Sequence, residues 1–189
     1  GEGGMVVTDD DDLAEGVRIL RNYGKPEPWV SYHTHIGSCW RMSEIQAAIG
    51  CVHLNRLDEF ILWREQIADL YTRQLSQIPN LTLVLPRDRS SWYKYIVLLP
   101  DQIDRKKLKE KMREYGVSLS GGVYDIPLHQ QPVFSSIEGD FPLAEDICSR
   151  HICLPIYYGM TEDEASYVVK VLAESISEQA VLTRCADHL

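Results

Sequence analysis

Between His33 and Ser43 the chain gathers residue types that can do chemistry: His33, His35, Cys39, Arg41 and Ser43. Three chemistries are open to them. Cys39, four residues after His35, could act as a nucleophile beside a base, but no third group that would orient the histidine is identifiable. His33, His35 and Cys39, or Cys148 with His151 and Cys153, carry the nitrogen and sulfur that zinc prefers. Neither set has a recognised four-ligand spacing, so no metal is expected, and Cys148 and Cys153 read as core or surface thiols. The third chemistry is anion binding. Ser43 followed three residues later by Gln46 reads as a capping box. That pairing would hold Cys39 and Arg41 just ahead of a helix N-terminus, where negative charge is favoured.

The elements that must position these residues follow from spacing. Met5 to Val7 predict a short buried strand. Thr8 and the run Asp9 to Asp12 cap a helix whose apolar face is Leu13, Val17 and Leu20, ending at Gly24 just past Tyr23. The acidic run is read as a solvated cap in preference to a metal site. Lys25-Pro26-Glu27-Pro28 then opens a loop to about residue 42. Its aromatic residues Trp29, Tyr32 and Trp40 suit a segment ordered against a cofactor or a second subunit.

A helix is expected from Glu44 to about Gln77, with Leu54, Leu57, Ile61, Ala68, Tyr71, Leu75 and Ile78 at spacings of three and four. From Pro79 the texture changes. Leu81, Leu83 and Leu85 alternate as a strand, and Trp92 to Leu99 form the best-buried strand, with Tyr93, Tyr95, Val97 and Leu99 on one side. Asp104 caps a helix stapled by Ile103 and Leu108 and stopped at Gly116. Val117 to Ser120 are expected to form a strand, turned by Gly121-Gly122 into the Pro-containing loop Val123 to His129. A helix from about Pro142 to His151, a strand Ile152 to Leu154 and a final helix capped by Thr161 and Glu164 complete the order. Ala165, Val168, Leu172 and Ile176 face inward on that last helix, and its periodicity fades from Ala180. The fold class is α/β, with an α+β C-terminal unit of helices on one side of a small, mostly antiparallel sheet, preceded by a long interdomain helix.

With 189 residues, a sizeable core is affordable. The formal charge of -9 excludes a phosphate-neutralising stripe and so argues against nucleic acid. The basic run Arg105 to Lys111 reads as a solvated helix face. Five cysteines without framework spacing fit a reduced, cytoplasmic setting. No apolar run is long enough to span a bilayer. Gly1-Glu2-Gly3-Gly4 running straight into Met5-Val6-Val7 reads as a chain entered part-way.

Several stretches together resemble one family. His35 to Gly50 is similar to the G-x-N-x-R-M-x-E-I-Q-A-A-I-G segment of the DegT/StrS-type nucleotide-sugar aminotransferases. Gly37, Arg41, Met42, Glu44, Ile45, Gln46, Ala47, Ala48 and Gly50 match, and Cys39 stands where the family has Asn. Gly1 to Thr8 resemble the strand after the family's Schiff-base lysine, and Leu20-Arg21-Asn22-Tyr23-Gly24 resembles its "LRNHG" helix end. Tyr124, Pro127, Leu128, His129, Gln131 and Pro132 match an "HYxxPLHxQP" motif, with Val123 at the first His. Phe141-Pro142, Ala144-Glu145 and Leu154-Pro155 complete the pattern.

The resemblance implies the C-terminal half of a fold type I, pyridoxal-phosphate-dependent transaminase of nucleotide-linked keto-sugars. Such enzymes serve the biosynthesis of surface polysaccharides, lipopolysaccharide or secondary-metabolite sugars. It implies three parts: residues 1–42 as a remnant of the large cofactor-binding domain plus an interface loop, 43–78 as a connecting helix, and 79–189 as the small domain. In the family the G-x-N-x-R loop crosses the dimer interface, its Asn on the cofactor phosphate and its Arg near the substrate. Gly37 and Cys39 are thereby implied on the cofactor, and Arg41, Tyr124 and His129 on the substrate. A thiol is a weaker donor than a carboxamide.

The lysine, expected upstream of Gly1, is outside the sequence. Lys94, Lys25, Lys106, Lys107, Lys109, Lys111 and Lys170 have no apparent desolvated site that would lower their pKa. The chain alone is therefore expected to hold no cofactor and not to transaminate, its partner being a second copy, a lysine-bearing N-terminal half or a full-length relative. The other reading is a non-catalytic association module that dimerises or binds such a relative.

Overall fold

The computed structural model describes residues 2–119 and 122–186, with side chains to residue 181. The expectations on Gly1, Ser120 and Gly121 lie outside the described residues. Two compact units form, residues 1–57 and 58–189.

In the first unit, α1 (Asp11–Leu20) starts at Asp10, whose carboxylate accepts the Leu13 amide at 3.0 Å. The helix stops at Leu20 and not at Tyr23, because Tyr23 and Gly24 both take left-handed backbone. Met5 to Val7, expected as a buried strand, are exposed and unpaired. An extended segment becomes a strand only with a ladder partner, and among the described residues none lies beside it. The capping box forms as read: the Gln46 amide donates to Ser43 Oγ at 3.3 Å and the Ser43 amide to Gln46 Oε1 at 3.0 Å. It opens α2 (Glu44–Asn55), which buries no residue.

The single helix expected from Glu44 to about Gln77 is two. α2 ends at Asn55, a residue whose carboxamide competes with helical backbone bonding, and Arg56 leaves helical geometry at φ -109°, ψ 6°. α3 (Leu57–Leu75) follows. Its Ile67, Ala68, Leu70, Tyr71 and Leu75 lie in the core of the second unit.

That core is built on a three-stranded antiparallel sheet, β1 (Thr82–Val84), β2 (Tyr95–Leu98) and β3 (His151–Leu154), in the order β1-β2-β3. β2 is central, with Val97 opposite Leu83 on one side and Ile152 on the other. Tyr95, Val97 and Leu99 are buried as expected, but Tyr93 is exposed. Trp92 turns the chain with φ 46°, so the strand begins only at Tyr95. Val117 and Leu119 are buried, with Ser118 exposed between them, and the segment does not join the sheet.

Around the sheet pack α3, α4 (Arg105–Glu114) and α6 (Glu162–Ala186), with Leu108, Met112, Ala165, Val168, Leu172 and Ile176 inward. Asp104 caps α4 by accepting the Lys106 and Lys107 amides. Gly116, at φ 78°, closes it: its amide bonds the Arg113 carbonyl and the Val117 amide the Met112 carbonyl, both at 2.9 Å. α6 continues past Ala180 to Ala186. α5 (Pro142–Arg150) leads directly into β3. No described helix is long and apolar enough to cross a membrane.

Candidate functional site

Past Leu20 the chain takes a conformation that only a specific neighbour sustains. Tyr23 has φ 63° and Gly24 φ 74°. For a bulky side chain the first of these is strained. Residues 38 to 40 supply the compensation. The Tyr23 amide donates to the Ser38 carbonyl at 3.1 Å, the Ser38 amide to the Leu20 carbonyl at 2.9 Å, and the Trp40 amide to the Arg21 carbonyl at 2.9 Å. Asn22 and Cys39 form an antiparallel bridge at the centre. Thr34 and His35 donate their amides to the Gly24 carbonyl, and His33 Nδ1 donates to the Tyr23 carbonyl at 2.7 Å.

Two glycines make this approach sterically open. A Cβ on Gly37 would lie 2.2 Å from the Gly24 nitrogen, and one on Gly24 would lie 1.8 Å from the His35 carbonyl oxygen. The two sequence stretches Leu20–Gly24 and Gly37–Arg41 are therefore one interlocked piece of backbone.

On this platform Cys39 and Arg41 meet. Arg41 Nη2 lies 3.8 Å from Cys39 Sγ, and its guanidinium carbon 5.6 Å from the centroid of the Tyr23 ring. A hydrogen bond from Tyr23, and next one from Arg41, draws the exposed Cys39 thiol below its ordinary value. The same contact with Cys39, followed by Tyr23, holds the Arg41 charge still more firmly. Tyr23 is the member of this cluster that sequence reasoning did not single out. The available signal was an aromatic residue at the His position of the helix-end motif, just before its glycine.

Beside the cluster, residues 2–8, α1 and residues 40–46 enclose an open hollow of about 1000 Å³. Arg18, Arg21 and Arg41 reach its lining with Glu2, Trp40 and Gln46. Arg18 is paired with Glu15 at 3.3 Å, so Arg21 and Arg41 supply most of its positive charge against the Glu2 carboxylate. A fixed guanidinium on such a wall recognises carboxylate or phosphate through paired N–H donors.

The remaining expected residues lie in the second unit. Tyr124 is exposed. His129 sits in a short helical turn, Leu128–Gln130, with Nε2 2.9 Å from Glu145 Oε1 and its ring 4.7 Å from that of Phe141. Gln130 Nε2 donates to the same oxygen at 3.0 Å. His129, then Gln130, keeps Glu145 below the usual carboxylate range. The Leu128–Pro132 and Phe141–Glu145 motif pieces thus bind each other, and the His129 ring is engaged in that contact. Among the described residues no three His, Cys, Asp or Glu side chains cluster as a metal would require.

The model of the DegT/DnrJ/EryC1/StrS aminotransferase family matches residues 1–173. The chain is 34% identical over 181 residues to a "Pleiotropic regulatory protein" of Geobacillus stearothermophilus, covering 92% of this chain and 47% of that one. It is 31% identical over 178 residues to a GDP-perosamine synthase of Caulobacter vibrioides, covering 91% and 47%. Among solved structures, S. venezuelae DesV in complex with a ketimine intermediate superposes with a TM-score of 0.78 at 27% identity, over 90% of this chain and 46% of DesV. The chain spans about half the length of the curated relatives it matches. With the interlocked motifs, the mixed α/β fold and the family match over residues 1–173 in agreement, the chain belongs to the DegT/DnrJ/EryC1/StrS aminotransferase family.

Proposed function

We propose that the chain is the C-terminal half of a pyridoxal-phosphate-dependent transaminase of nucleotide-linked keto-sugars, with residues 1–42 the end of its large domain. The observation that carries this reading is the interlock of Leu20–Gly24 with Gly37–Arg41, which presents Arg41 beside a hollow that Arg21 also lines. The similarity to a GDP-perosamine synthase supports a sugar nucleotide as substrate. Arg41 orients an anionic group of that substrate, and Gly37 lets the backbone approach closely. Tyr124, exposed on its loop, and His129, oriented by Glu145, serve the sugar.

The residues present do not fit the whole cofactor. Pyridoxal phosphate is held through a lysine, and no lysine lines the hollow. Lys94 donates to the Gly122 carbonyl, and Lys107, Lys109, Lys111 and Lys170 face Asp104, Asp125, Glu178 and Glu174. Cys39 is also a poor phosphate partner. A thiol drawn toward thiolate loses its only proton for donation. The chain alone neither holds the cofactor nor transaminates, and a lysine-bearing half or relative supplies the rest. The four described thiols, none in a disulfide, suit a reducing cytoplasm.

The test is to supply pyridoxal phosphate, a keto-sugar nucleotide and an amino donor. The expected result is no product and no borohydride-fixed lysine adduct from the chain alone. Activity appears when a lysine-bearing N-terminal half is added, and falls with Arg41→Gln. Turnover by the isolated chain would overturn the reading.

A second reading, an association module, is favoured by the exposed apolar side chains of residues 29–52, among them Trp29, Tyr32, Ile36, Ile45 and Ile49. A self-dimer, or a hybrid dimer with a full-length relative, on sedimentation would support it, and a monomer would count against both.

A further inference from the structure

His151 opens β3 and is almost wholly buried, yet the proposed function makes no use of it. Both ring nitrogens are engaged by backbone. The Val123 amide donates to Nε2 at 3.1 Å, and Nδ1 lies 2.9 Å from the Ile147 carbonyl oxygen. An amide can only donate and a carbonyl only accept, so Nε2 is bare and Nδ1 carries the proton. The ring is therefore neutral. Protonating Nε2 would set one donor against another across 3.1 Å.

Val123 begins the loop that carries Tyr124. The charged groups around the ring bear on this contact from every side. From α4, Arg105 donates to the carbonyls of Cys148 (2.6 Å) and His151 itself (3.3 Å), and it pairs with Asp125 at 3.0 Å. Lys109, also on α4, lies 3.8 Å from Asp125. Lys94, just ahead of β2, donates to the Gly122 carbonyl at 3.5 Å. On α5, Arg150 is taken up by Asp146 and by the Leu99 carbonyl. Cys153 of β3 also lies close to the Val123 amide, but its sulfur is a weak acceptor beside an imidazole nitrogen.

The geometry points to His151 as a positioning residue: a latch that holds the start of the Tyr124 loop against β3 and α5 while its imidazole is uncharged, and releases it on protonation. The latch stands on contacts alone; that the loop it positions serves a sugar nucleotide rests on the proposed function.

The test is amide hydrogen exchange on the full chain without substrate, expressed as protection factors between pH 8 and pH 5, the span in which histidines act as switches. Val123 protection is expected to fall about tenfold on acidification, the weight of one hydrogen bond. The fall tracks the titration of the His151 ring nitrogens, while amides of β2 and α4 keep their protection. His151→Leu loses Val123 protection at both ends, and His151→Gln abolishes its pH response. A Val123 response that departs from the ring titration, survives in His151→Gln, or leaves protection intact in His151→Leu would overturn the latch. Because no substrate is present, these outcomes are separate from those that test transamination.

Discussion

At the scale of single residues, the chemistry of the first unit depends on who donates to a sulfur. Tyr23 and Arg41 both stabilise negative charge on Cys39, and the thiol is exposed. Its thiolate fraction near neutral pH is therefore raised, and thiolate is the form that alkylates. Cys153 is the opposite case, since burial pushes its thiol up. Mass spectrometry of iodoacetamide-treated protein should find Cys39 modified well before Cys153. Tyr23→Phe and Arg41→Gln should each slow Cys39 modification, because both contacts lower the thiol.

At the scale of elements, helix ends carry a pH signature. Asp104 accepts the Lys106 and Lys107 amides at 2.9 and 3.1 Å, and the Lys107 contact is the main reason its carboxyl is held below the ordinary value. A carboxyl depressed on folding contributes stability above its unfolded pKa and loses it as pH falls through the folded one. The urea midpoint of the second unit should drop on acidification into and below the ordinary carboxylate range. Asp104→Asn should flatten that part of the drop, because Asn caps without titrating. α3 offers a second test. Tyr71 is fully buried and donates to the Pro155 carbonyl at 2.7 Å. Tyr71→Phe should cost about 1 kcal/mol in equilibrium unfolding, the net worth of one part-buried hydrogen bond.

At the scale of the whole molecule, residues 58–189 hold their own core, from Ile67 on α3 to Ile176 on α6. Expressed alone, that segment should unfold in one cooperative transition by circular dichroism. Most of this core was legible in the sequence. The Asp104 and Thr161 caps and the inward stripe of α6, like the Ser43 cap in the first unit, follow from local spacing, which short-range physics decides. What was not legible depended on distant partners. Met5 to Val7 have a strand's composition without a strand's neighbour, and Arg56 breaks a helix whose apolar spacing runs straight through it. The site was half legible. Motif positions named Cys39 and Arg41, but only the folded backbone brings Tyr23 to them. His151, weighed as a zinc ligand, is engaged by two backbone groups that no spacing rule reveals.

The glycine interlock has a consequence for how this sequence can change. A Cβ on Gly37 would run into the Gly24, Leu20 and Tyr23 backbone and one on Gly24 into the His35 backbone, so either methyl group alone would force Leu20–Gly24 apart from residues 35–41. Once they have parted, a second methyl has little left to disrupt. Gly24→Ala and Gly37→Ala should therefore be strongly non-additive, with the double variant's urea midpoint near that of the worse single variant. In a mutational lineage the two positions form one heritable unit. Neither glycine is free to drift while the other remains, and once one has been lost the steric restraint on the other is relaxed.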